Sequence, residues 1–248
     1  MKISPTLKIC LAGLLTALTI IFTRILSIQN IPVIPFVRIS LGPACIIFSS
    51  LLLGPLYGAV VGGASDILGI LLFPNALGYG INPWLTLVYA LVGLVPWCIF
   101  RVFKKIKNDK LLIGIFDLTL LGLWIFITVY IFSHNEIAGT SFDLVTKFIF
   151  SGAALLLGIG MCVLTYFIKN KFDKSELRIM PISYACLLTE IFVFLIGNSF
   201  VKSSLFGISY EAMFFFQTIV LFINVPLNTY FVGYLLKLSN KVFLKNSK

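Results

Sequence analysis

Leu51-Leu52-Leu53-Gly54-Pro55-Leu56-Tyr57-Gly58-Ala59-Val60-Val61-Gly62-Gly63-Ala64-Ser65-Asp66 decides the fold. It lies inside an apolar run over 44–73 that could pass for one long helix. Pro55 takes away a helical hydrogen bond, and its ring clashes with the turn before it. The run therefore divides at Gly54-Pro55 into a short helix over about 43–53 and a longer one over about 56–73. In the second half Gly58 and Gly62, and beside them Ala59 and Gly63, recur every four residues, a spacing that lets helix backbones approach closely. A hairpin here sets the direction of every span on either side of it.

Outward from that hairpin, apolar runs over about 8–28, 84–103, 111–133, 145–168, 180–199 and 212–236 are each near the length that crosses a bilayer. The chain has 248 residues, 59% of them hydrophobic and only 11% charged, against roughly 25% charged in soluble domains. It cannot cover a water-facing surface, so it is an integral membrane protein. The same composition excludes a disordered chain and argues against a nucleic-acid partner. The first run retains Thr16, Thr19, Thr23 and Arg24 and has no clear cleavage site, so it reads as a retained span and not a signal peptide.

The net charge of +10 is sorted by loop. Lys2 and Lys8; Arg101, Lys104, Lys105, Lys107 and Lys110; Lys169, Lys171, Lys174 and Arg178; and Lys237, Lys241, Lys245 and Lys248 are fifteen of the nineteen basic residues. The positive-inside rule places these four groups in the cytoplasm. Arg24, Arg38, Lys147 and Lys202 fall on the outer side. Parity then requires the Gly54-Pro55 hairpin, and the fold is an all-α membrane protein of about eight helices with both termini inside.

Ionisable and amide groups at membrane depth are costly and so are functional candidates. Glu190 lies near the midplane of its span, open to a binding or a structural role. Asp66, on the small-residue helix, reads as structural. Gln217, Asn224 and Asn228 share one face of the last helix. Such carboxamides either join helices or line a solute cavity, and Gln217 and Asn224 are the stronger cavity candidates, with Asn198 near the outer end of the Glu190 helix. Ala12, Thr16, Thr19, Thr23 and Ser27 form a packing face on the first helix, beside a small-xxx-small pair, Gly13 and Ala17. Whether this helix packs on its own chain or on a partner is open from spacing alone.

Two outer loops stand out. The first, 28–43, carries Arg38 among Pro32, Pro35 and Pro43, a stiffened bidentate anchor for an anion. The second, 73–84, holds Tyr79 and Trp84, which read either as interfacial aromatics or as a stacking surface for a flat ligand. The five cysteines form no CxxC pair and read as core residues, and the single histidine, His134, has no partner in the sequence pattern. No phosphate loop, dinucleotide fingerprint or HExxH motif occurs. The chain is therefore expected to be no enzyme and to need no metal or other cofactor, and uphill transport would draw on a gradient or on a partner.

Several strings in series carry a resemblance: Leu18 to Ile28, then Val37-Arg38-Ile39-Ser40-Leu41-Gly42-Pro43, then Leu53 to Gly69, then Leu72-Phe73-Pro74. In order and spacing they resemble the substrate-binding S components of energy-coupling factor (ECF) vitamin transporters, in the folate branch. Thr189-Glu190, Asn198 and the last helix resemble that branch's fifth and sixth helices. The resemblance implies one membrane domain over 1–248, with a six-helix S-component core at 1–108 and 180–240 and two inserted transmembrane helices at about 109–179. It implies a multi-pass protein of a bacterial cell membrane that takes up folate or a related small vitamin. Its partners would be an ECF transmembrane coupling subunit and two cytoplasmic ATPase subunits, in contact with membrane lipid. Carried over, Gly13 and Ala17 would face the coupling subunit, and Arg38, Trp84, Glu190, Asn198, Gln217 and Asn224 would bind substrate, with Tyr79 as an alternative to Trp84 for stacking on a flat ring. The sequence departs from the branch in the insertion and in Asn82-Pro83-Trp84-Leu85-Thr86-Leu87. Thiamine, a pyrimidine precursor or riboflavin stand as other vitamins. A self-sufficient ion-coupled transporter using Glu190 or Asp66 stands as the other class.

Overall fold

The computed structural model describes residues 4–28, 37–73, 80–137, 140–141, 143–173 and 177–245. Helix α1 (Pro5–Ile20) starts at Ser4, whose hydroxyl accepts from the Leu7 amide, and continues as a π-helical turn, Ile21–Ile25. There follow α2 (Gly42–Leu53), α3 (Pro55–Leu72), α4 (Pro83–Lys105), α5 (Asp109–Ser133) and α6 (Leu144–Asp173). Helix α7 (Met180–Thr189) runs without a break through a π-helical stretch, Glu190–Asn198, into α8 (Ser199–Phe206), and α9 (Tyr210–Lys245) closes the bundle. Counted as continuous helices these are eight, seven of them long and apolar enough to span a membrane. Between α5 and α6, β1 (Glu136–Ile137) and β2 (Thr140–Ser141) pair antiparallel. Asp143 before α6 accepts from the Thr146 amide and hydroxyl, which holds its carboxyl below the usual range.

The hairpin is as expected. Gly54 adopts φ 109°, ψ 166°, a conformation side chains exclude, and its amide closes α2 on the Ser50 carbonyl. Helix α3 then returns along α2 and packs on α4. The four-residue glycine spacing is used in full. A Cβ at Gly62 would lie 2.0 Å from the Tyr89 carbonyl oxygen, and one at Gly93 of α4 would lie 2.0 Å from that of Gly58.

Helix α2 is buried at ten of its twelve residues and α7 at nine of ten. Helices apolar all round belong in a core, and these two form the centre with α9. Helices α5 and α6, the pair expected as an insertion, lie at the side: 22% of each span is buried, against 72% for the α7–α8 span and 61% for α9. Helix α5 holds α9 through two aromatic pairs, Phe126 with Phe214 at 5.0 Å and Tyr130 with Phe215 at 5.3 Å. Where α4 meets α5, Tyr184 stacks on Phe103 and donates to the Leu112 carbonyl at 2.6 Å, joining α7 to α4 and α5. Arg178 ties the same corner, donating to the Ile106 carbonyl and pairing with Asp109.

Two expectations are corrected. The span read as 180–199 continues to Phe206, and Gly207 at φ 65° ends it. Ser203 donates to the Ile208 carbonyl and supports the helix end. Of the five cysteines, Cys45 and Cys186 are core residues, whereas Cys10 and Cys98 face outward. Outward positions of a membrane helix meet lipid, so an apolar thiol sits there as readily as in a core.

Candidate functional site

The hydroxyl face of α1 packs on its own chain. Thr16, Thr19, Thr23 and Ser27 each donate to the carbonyl four residues back, so the stripe is buried with its polar atoms satisfied. Where α1 ends, Ile28 and Ile39 exchange both backbone hydrogen bonds, at 2.9 and 3.0 Å. This bridge presses the segment leading into α2 against the π turn. Arg38, held between them, donates to the Thr23 carbonyl at 3.0 Å.

Arg38 points into a polar cavity that it lines with Ser40, Pro43, Tyr89, Phe194, Asn198, Lys202, Gln217 and Asn224. Four of the seven expected substrate residues, Arg38, Asn198, Gln217 and Asn224, are thus brought together. Phe194, Asn198 and Lys202 recur every four residues on the α7–α8 helix, and Gln217 and Asn224 are two turns apart on α9. Tyr89 from α4 meets Phe194 edge-on, at 6.1 Å and 85°. Asn198, Lys202, Gln217 and Asn224 are all buried, and the Asn224 Oδ1 has no hydrogen-bond partner among the described residues. The cavity measures about 20 Å³, room for about one water, so any larger solute enters only as these walls part.

The other three expected residues are placed differently. Glu190 is 4% exposed and accepts from Asn228 Nδ2 at 3.1 Å, outside the cavity lining. Trp84 stands on the first turn of α4, 66% exposed, and the aromatic turned into the cavity is Tyr89, five residues on. Tyr79 lies outside the described residues. Asp66 takes the structural role read for it. It pairs with Arg24 at 3.6 Å and accepts from Thr86 Oγ1 at 2.9 Å, tying α1, α3 and α4 together. Among the described residues no group of His, Cys, Asp and Glu is arranged to hold a metal.

Tyr89, Phe194 and Lys202 were missed, as were Ser40 and Pro43. Lys202 carried a signal: it is one of four outer basic residues and stands four places after Asn198. The early helix end assigned at 199 concealed that spacing.

The sequence model of the ECF-type riboflavin transporter S-component family matches residues 4–138, more than half of the chain. The chain belongs to this family. It is a multi-pass membrane protein of the S-component class, as the motif series implied. A relative from Clostridium novyi (strain NT), named Folate transporter FolT, is 36% identical over 104 residues. That match covers 42% of this chain and 56% of the relative, so the S component described here is matched over little more than half of that relative's length. No solved structure matches the chain.

Proposed function

We propose that this S component captures a flat, anionic vitamin of the folate class at its outer face. The observation that carries this is the joint presence of Arg38 and Lys202 in one cavity with three carboxamides and Tyr89. A folate has two carboxylates for the cations, and a pterin whose edge both donates and accepts, as carboxamides do. Its ring offers a face to Tyr89 or Phe194. Thiamine is a cation and is repelled by this lining. Riboflavin is uncharged and offers neither cation a carboxylate. The name of the Clostridium relative supports the same choice.

In this reading the chain works as one membrane domain, a core of 1–108 and 180–240 with the insertion at 109–179. It delivers its vitamin through an ECF transmembrane coupling subunit and two ATPase subunits. Glu190 and Asp66 are both occupied by partners within the bundle and neither lines the cavity, which speaks against ion-coupled transport by the chain alone.

The test is a binding panel on the purified chain, by calorimetry and thermal shift, with folate, riboflavin and thiamine. Folate is expected to bind and stabilise. Lys202→Met and Arg38→Met should each weaken it about tenfold or more, since a hydrogen bond to a charged group contributes roughly 1.5–3 kcal/mol. Riboflavin binding equally to wild type and to both variants, with no folate binding, would overturn the proposal.

A further inference from the structure

A second cavity, of about 610 Å³, lies apart from the polar site. It is a groove on the outer flank between the inserted helix α6 and the last helix α9. Two local features open it. Gly160 of α6 has no side chain, and a Cβ there would meet nothing within 4 Å. Pro226 of α9 stands opposite, inside a helix it cannot hydrogen-bond into. Leu164, Phe167 and Phe222 supply apolar walls, and Leu164 and Phe167 are 51% and 69% exposed toward the bilayer.

One end of this apolar groove is charged. Lys171, from the last turn of α6, donates to Tyr230 Oη at 2.9 Å and lies 4.9 Å from the Tyr230 ring centre. An ammonium has three donors, so the tyrosine occupies one and two remain for an anion. Lys237 continues the same face of α9 two turns on, 5.8 Å from the Phe172 ring centre. Both lysines belong to the groups that charge sorting assigns to the cytoplasmic surface. An apolar trough at bilayer depth, ending in a lysine at headgroup level, complements an anionic lipid in both of its parts.

We propose that this groove is a binding site for an anionic glycerophospholipid of the inner leaflet, one acyl chain lying along Gly160 and Pro226 and the phosphate on Lys171. The site is built by the insertion, and it is independent of which vitamin the polar cavity takes.

Native mass spectrometry of the purified full chain tests this, after exchange into detergent with equimolar phosphatidylglycerol and phosphatidylcholine of matched chains. Wild type should retain phosphatidylglycerol over phosphatidylcholine by about fivefold, the ratio expected for one lysine near the surface. Lys171→Gln should abolish that preference while still holding lipid. Gly160→Phe, which fills the trough, should lose both lipids with unchanged thermal unfolding. Leu164→Trp provides a second filling variant should Gly160→Phe fail to fold. Equal retention of the two lipids by wild type overturns the proposal, as does full retention by a folded filling variant. So does a lipid-free dimer, which would show a second copy in the groove.

Discussion

Two intramembrane carboxyls, Glu190 and Asp66, are held by a few specific neighbours. The sequence marks both as expensive, but only the bundle shows what holds them: Asn228 from α9 for one, Arg24 and Thr86 from α1 and α4 for the other. Those partners are 38, 42 and 20 residues away in the chain, beyond the reach of any local pattern. Asn228→Leu leaves the Glu190 carboxyl buried without its donor. It should cost about 1–3 kcal/mol, read as a lowered thermal midpoint, whereas Glu190→Gln keeps a hydrogen-bonding group and should remain within about 1 kcal/mol of wild type. If instead Glu190→Gln abolished uptake with folding intact, a proton-coupled role would return. Arg38 was legible because it is a cation stranded among prolines. Lys202 was not singled out, because the apolar run stops at 199, whereas the helix continues until Gly207 ends it.

Among the elements, α2, α3 and α4 were the most legible and α7–α8 the least. Gly54-Pro55 and the small-residue spacing encode both a turn and a contact, and both occur as read. The contact is also graded along α3. A Cβ at Gly62 would sit 2.0 Å from backbone that cannot yield, whereas one at Gly63 would be 3.8 Å from Thr86 Cγ2, an ordinary contact. Gly62→Ala should therefore destabilise by about 1–3 kcal/mol or more by forcing α3 and α4 apart, while Gly63→Ala should be silent; thermal unfolding in detergent measures both. The π-helical stretches were invisible to a reading based on regular helical spacing. They nevertheless contain or border Thr23, Arg24, Glu190, Phe194 and Asn198, in keeping with the tendency of π bulges to occur at functional positions.

At the scale of the whole molecule, α5 and α6 occupy one flank and leave another open. Helix α5 packs on α7 and α9 and α6 on α9, whereas α1 packs on α2 and α3. Gly13 and Ala17 are exposed, and a Cβ at Gly13 would meet nothing within 4 Å. The sequence left open whether α1 serves its own chain or a partner, and the structure divides it: the hydroxyl face turns inward and the small-residue face outward. If the coupling subunit docks on that outward face, Gly13→Trp and Ala17→Trp should leave vitamin affinity unchanged. They should also abolish co-purification with the coupling subunit and the ATPases. Loss of affinity, or an intact complex, would move the docking face elsewhere.

The unequal arms of the hairpin also set a depth. Because α2 and α3 share the Gly54 turn and α2 is six residues shorter, its outer end falls about 9 Å below that of α3 at 1.5 Å per residue. The segment bearing Arg38 starts from that lowered end, so an arginine in a nominally outer loop reaches the carboxamides of buried helices. The truncated helix thus acts as a plumb line for the anchor. Adding one helical turn, four alanines after Phe48, should raise Arg38 by about 6 Å toward water. The expected result is a folded protein that has lost its vitamin, distinguishable from misfolding by a retained thermal transition without ligand-induced stabilisation.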